Sequence, residues 1–124
     1  MNAPRVLVVD DNAMNIDLVS FVLEGDGVVV AAALDAAQAR EQITGFQPDL
    51  ILMDIQLPGM DGLTLTRELK GAAATRHIVI VAFTAYAMKG DETKMRAAGC
   101  DGYLSKPVDV ARFAAQVRAL LPQA

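Results

Sequence analysis

Aromatic side chains are scarce. Two Tyr, four Phe and no Trp make up 5% of the 124 residues, although 53% are hydrophobic. The apolar weight therefore rests on Val, Leu, Ile, Met and Ala. Val and Ile favour buried strands and Ala favours helices, the mixture of an α/β protein. The single cysteine, Cys100, excludes an internal disulfide and a multi-cysteine metal site, and points to the cytoplasm. Basic blocks are missing too: eleven Lys and Arg against fifteen Asp and Glu leave a net charge of −4. That balance argues against direct contact with nucleic acid or an anionic membrane surface. No apolar run approaches the length of a membrane span. The first residues, Met1 to Arg5, lead into a strand-like run rather than a signal sequence. There is no repeat, linker or low-complexity tract, and the length suits one domain over 1–124.

Five short apolar runs are present: Arg5–Val9, Val28–Ala33, Asp49–Met53, Ile78–Phe83 and Gly102–Leu104. Helical spacing fills the gaps between them and follows the last. Non-alternating β-branched strands that alternate with helices imply a parallel sheet covered on both faces. The first helix is expected from about Asn12 to Glu24, before Gly25-Asp26-Gly27. The second begins near Asp35 and ends near Gly45. The third follows a turn with a capping Asp61 and ends near Gly71. The fourth, around Met88–Ala98, contains Gly90 and is the weakest. The fifth follows Pro107, with Asp109 as its expected cap and Phe113, Val117 and Leu120 facing inward.

The strands end in polar residues. The first run ends in Asp10-Asp11, the third in Asp54, the fourth in Thr84 and the fifth in Ser105-Lys106-Pro107. In an open parallel sheet these ends share one edge, and ligands bind where strand order reverses. If the first and third strands are neighbours, Asp10, Asp11 and Asp54 converge. At about 4 Å and an effective dielectric of about 20, each carboxylate pair costs roughly 4 kcal/mol. A hard divalent cation would relieve that cost, and an oxygen-only set with open water positions suits Mg²⁺. Lys106 adds a positive charge. A metal, a cation and a hydroxyl around one carboxylate form a phosphoryl-transfer site, in which the carboxylate can be the nucleophile.

These residues resemble a known family. Val8-Val9-Asp10-Asp11-Asn12, Met53-Asp54-Ile55-Gln56-Leu57-Pro58-Gly59-Met60-Asp61-Gly62, Thr84-Ala85 and Lys106-Pro107, in this order, match the receiver domain of two-component response regulators. Each motif is weak alone, and together they are specific over Arg5 to Leu121. The segment Ala85-Tyr86-Ala87-Met88-Lys89-Gly90-Asp91 looks like hybrid-kinase receivers and stand-alone regulators of the DivK type. The resemblance implies a CheY-like, flavodoxin-like doubly wound (βα)5 sandwich with strand order 2-1-3-4-5. It implies that Asp54 accepts a phosphoryl group from a phosphohistidine. Asp11, Asp54 and the backbone carbonyl of Gln56 would ligate Mg²⁺, with Asp10 acting through metal-bound water. Lys106 and Thr84 would contact the phosphoryl oxygens. Tyr103 would be the aromatic switch that turns inward when Thr84 moves, and Lys106-Pro107 a cis bond. Two departures lie away from the site: Leu34-Asp35-Ala36-Ala37 replaces an Asn-Gly-like turn, and Val79 stands where a Pro is usual.

The implied function is a signalling switch rather than an enzyme. It would assist its own phosphorylation and slow dephosphorylation, with a sensor histidine kinase or histidine phosphotransfer protein as donor. Its output face would be the fourth helix, fifth strand and fifth helix, and its signal would leave through another protein or a longer chain. Two other classes fit less well. A haloacid-dehalogenase-type phosphatase usually has a second Asp where this chain has Gln56. A dinucleotide-binding module needs a Gly-x-Gly-x-x-Gly after the first strand, and Asp10-Asp11 would repel its phosphate. On the first helix, Asn15, Leu18, Val19, Val22 and Leu23 are expected to face the sheet. Met14 and Phe21 then flank them and, with Pro107, form a candidate docking patch for the donor.

Overall fold

In a computed structural model of the chain, each apolar run becomes a strand. The described residues are 3–55, 57, 59, 61–85, 89–106 and 108–122, with the backbone alone for 89–91. The strands are β1 (Arg5–Val9), β2 (Val29–Ala33), β3 (Leu50–Met53), β4 (Val79–Thr84) and β5 (Gly102–Ser105). They alternate with α1 (Ala13–Gly25), α2 (Ala36–Phe46), α3 (Gly62–Gly71), α4 (Lys89–Ala98) and α5 (Phe113–Leu120). All pairings are parallel and the order is β2-β1-β3-β4-β5, as expected.

The central strands are apolar on both faces because both faces are covered. Leu7, Val9, Ile51, Met53, Ile80 and Ala82 pack with Ala39 and Ile43 of α2, Leu65 and Leu69 of α3, and Met95 of α4. Their neighbours Val6, Val8, Leu50, Leu52, Val81 and Phe83 pack with Val19 and Leu23 of α1 and Phe113 and Val117 of α5. The edge strands β2 and β5 are only partly buried, so their patterns are looser. Among the described residues, no helix is long and apolar enough to cross a membrane.

Helix starts follow side-chain chemistry. Asn12 accepts from the amides of Met14 and Asn15 at the head of α1. At α2, Asp35 accepts from Gln38 N at 2.8 Å, and Gln38 Oε1 accepts in return from Leu34 N at 2.9 Å. This reciprocal cap does the work of the missing Asn-Gly-like turn. Asp61 caps α3 through Thr64 N.

Two of three local expectations are corrected. Asp109 does not cap α5: its carboxylate accepts from Ala111 N, its carbonyl accepts from Arg112 N and Phe113 N, and the helix starts only at Phe113. The side chain thus closes a turn ahead of the helix. The second helix ends near Gly45, as expected. It runs to Phe46 and ends on Gln47, which adopts a left-handed φ of 52°. Leu18 does not face the sheet and is exposed. Asn15 is only partly covered. Val19 and Leu23 are buried and Val22 packs beside them, as expected, with Ile16 rather than Leu18 completing the covered face.

Candidate functional site

The chain leaves β1 for β2 on one side and returns to β3 on the other. The reversal opens a crevice at the carboxyl ends of β1 and β3, where ligands bind in such sheets. The residues just past the strand ends are held by the ladder itself. Asp10 N donates to Ala33 O at 3.0 Å, Asp54 N to Val9 O at 2.9 Å, and Lys106 N to Thr84 O at 2.9 Å. Backbone pairing therefore aims these side chains, with no need of loop order.

Asp10, Asp54 and Thr84 are buried, while Asp11 is exposed at the rim. One carboxylate oxygen each from Asp10, Asp11 and Asp54 lie within 4.8 Å of one another. Lys106 reaches in from β5, with Nζ 2.8 Å from Asp10 Oδ2 and 3.3 Å from Asp54 Oδ2. Burial works to lower the Lys106 pKa. The close contact with the Asp10 carboxylate and the charge of Asp54 outweigh this, so the pKa is raised above the ordinary lysine value. The lysine is therefore a cation throughout the neutral range.

One ammonium does not neutralise three carboxylates, and a net charge of about −2 remains in a half-dry crevice. Asp10 also accepts at Oδ1 from Asn12 N at 2.9 Å. Its buried Oδ2 meets the ammonium as an ion pair but has no aligned hydrogen bond among the described residues. An under-satisfied oxygen beside two further carboxylates, one open to water, fits a hard divalent cation. The cluster could hold such an ion.

A position with no chemical signature also shapes the site. Gly62 N, at the head of α3, donates to Ile55 O at 2.7 Å. A Cβ at Gly62 would lie 2.1 Å from the carbonyl oxygen of Asp54. Below it the Thr66 hydroxyl donates to Gly62 O at 2.7 Å and locks the turn. In the sequence Gly62 reads only as part of a turn, because the close approach is tertiary.

Tyr103 lies on β5 opposite Ala82 of β4, with its side chain substantially exposed. On α1, Met14 and Phe21 are 81% and 77% exposed, and Leu18 adds a third apolar side chain between them. The stripe begins within a turn of Asp11 because α1 starts there. Phe21, Val22 and Gly25 face Val110 and Ala114 across an open groove between α1 and the α5 segment. An ion pair between Asp26 and Arg118 ties the groove's end together. Gln56 and Pro107 lie outside the described residues, and with them the Gln56 carbonyl, the Lys106-Pro107 bond and one docking position. His77 is exposed ahead of β4, and Cys100 is buried among apolar neighbours.

An acidic oxygen cluster faced by a lysine, at the switch point of a five-stranded parallel sheet, defines the CheY-like class of α/β domains. The response regulator receiver domain family matches residues 6–118, and the chain belongs to that family. It is 41% identical to the polar-differentiation response regulator DivK of Brucella anthropi over 119 residues, which span 96% of this chain and 97% of that protein. Among solved structures, a putative response regulator from Chloroflexus aurantiacus superposes with a TM-score of 0.89 at 28% identity, covering 96% of this chain and 98% of that one. The chemotaxis protein CheY4 of Vibrio cholerae shares the fold, with a TM-score of 0.91 at 23% identity over 97% of this chain and all (100%) of that one.

Proposed function

We propose that the chain is a phosphoacceptor switch in a two-component phosphorelay, with Asp54 as the acceptor. The carrying observation is the convergence of Asp10, Asp11 and Asp54 with the Lys106 ammonium. A carboxylate oxygen of Asp54 attacks the phosphorus of a phosphohistidine. The O–P bond forms as the P–N bond breaks, and the imidazole departs with the electron pair. Lys106 stabilises charge on the transferring oxygens, and Thr84 donates its hydroxyl to one of them after transfer. Asp10, Asp11 and Asp54 would hold Mg²⁺, with the Gln56 carbonyl as a further ligand. Bound there, Mg²⁺ supplies positive charge to the phosphoryl oxygens. The protein is a switch rather than a turnover enzyme, and the later loss of its phosphoryl group to water is slow.

Phosphorylation shifts a pre-existing equilibrium at the end of β4. Movement of Thr84 opens space beside β5, and the exposed Tyr103 ring turns inward to fill it. The surface of α4, β5 and α5 then changes for a downstream protein. Beryllofluoride with Mg²⁺ mimics the phosphoryl group without transfer. It should displace the amide resonances of Thr84 and Tyr103, and silence at both positions would remove the switch.

The donor, a histidine kinase or a histidine phosphotransfer protein, docks on the α1 stripe. Met14, Leu18 and Phe21 offer apolar surface beside the site, continuous with the groove to Val110. Phe21→Asp should slow transfer from the cognate donor about tenfold, the effect of losing one aromatic anchor. Labelling by a small phosphodonor serves as the reference. Equal transfer rates for the two proteins would place docking elsewhere.

A further inference from the structure

Phe83 stands immediately before Thr84 on β4 and is 1% exposed. It is among the largest fully buried side chains of the core, where its strand neighbours on the same face, Val6, Val8, Leu50, Leu52 and Val81, are aliphatic. What distinguishes it is the Lys106 ammonium, which lies over its ring 5.3 Å from the centroid. The ring itself leans on Phe113 of α5, with centroids 5.5 Å apart and planes tilted by 43°. The ring is thus packed in the core and presents a face to the Lys106 ammonium. The Lys106 ammonium meets Asp10 and Asp54 on one side and the π face on another.

We infer that Phe83 is a positioning residue for Lys106, holding the ammonium over its ring at the depth where it meets Asp10 and Asp54. The negative face of an aromatic ring attracts a cation without needing an in-line hydrogen bond. The N–H donor to Asp54 Oδ2 is therefore not diverted. An aliphatic side chain would leave a partly desolvated charge facing hydrocarbon, and the lysine would gain by swinging toward water. The ring keeps the cation in place while the anionic load beside it changes. The functional part of this inference rests on the phosphoacceptor role proposed above, whereas the pairing itself does not.

Ring fluorination tests it, because each fluorine weakens the π face with little change of shape. Phe83 is replaced by mono-, di- and trifluorinated phenylalanine and, separately, by Leu (Phe83→Leu). Every protein is made with Lys106 and with Lys106→Met. Stability is measured by urea unfolding, and the double cycle removes effects of fluorine on packing alone. The coupling between ring and lysine should fall stepwise with fluorine number, reaching about threefold in the folding equilibrium constant for the trifluorinated ring. With Lys106 present, labelling of Asp54 by a small phosphodonor should slow in the same order, again by about threefold. Zero coupling throughout the series would overturn the inference, whatever labelling does. Coupling with labelling rates indifferent to the ring would overturn the positioning role. If the protein with its ordinary ring takes no phosphoryl group at Asp54, the phosphoacceptor role fails, and the stability cycle still decides the pairing.

Discussion

Asp54→Asn should take up no phosphoryl group from a small phosphodonor in Mg²⁺, under conditions in which the unaltered protein gains one. The expected fall in labelling is at least about a hundredfold, because the change removes the proposed nucleophile rather than a helper. The label on the unaltered protein should survive acid and be lost in base, as an acyl phosphate is. Asn keeps the size and polarity of the side chain, and Asp54 N still pairs with Val9 O, so the fold should remain. The variant also removes one of three clustered carboxylates. Its affinity for Mg²⁺ should fall, and its stability without the metal should change little. Loss of the Lys106 ion pair at 3.3 Å opposes the relief of repulsion from Asp10 and Asp11. Equal labelling of the two proteins would show that another group is the nucleophile.

Gly62→Ala should be, among the described glycines, the most damaging change to alanine. The added Cβ would sit 2.1 Å from Asp54 O and 2.9 Å from Ile55 Cα. Both are backbone atoms, so no side chain can swing away to relieve the clash. Either the head of α3 lifts or the segment after β3 moves. The gain in helix propensity is at most about 1 kcal/mol, and overpacking costs about 1–3 kcal/mol and more where backbone must shift. A net loss of about 2 kcal/mol, or about 8 °C in Tm for a domain of this size, is expected in thermal unfolding. The same variant should weaken Mg²⁺ binding, since the displaced backbone carries the Asp54 carboxylate. Unchanged Tm together with unchanged metal affinity would mean that the approach of Gly62 to Asp54 is loose in solution.

Most of the fold was legible because its signals are local and repeated. Runs such as Leu50-Ile51-Leu52-Met53 are too short for helices and too uniformly apolar for a half-exposed sheet, which leaves a buried parallel strand. The site was legible for a related reason. Parallel strands bring all their carboxyl ends to one edge, so the residue after each run was already placed near the others. Asp10, Asp54 and Lys106 needed only the strand order to meet. Helix orientation was less legible. Ile16, Leu18, Val19, Val22 and Leu23 offer more apolar positions than one helix face can bury, and periodicity alone chose Leu18 wrongly. Packing against Val6 and Val8 of β1 and against α5 covers Val19 and Leu23 as expected, and takes in Ile16 rather than Leu18. The Asp109 expectation failed because an Asx turn and a helix cap share the same residue type.

The sequence by itself determined the alternation of strands and helices, the set of polar residues at the strand ends and the family. Those depend on residue type and order along the chain. Only the tertiary structure decided how deep each group sits and what lies against it. It set the acidic oxygens within 4.8 Å, put the Asp54 carbonyl where only Gly62 leaves room, and laid the Lys106 ammonium over the Phe83 ring. The physical reason is that these contacts join residues far apart in the chain. Their distances come from strand register and helix rotation, which the whole core settles together.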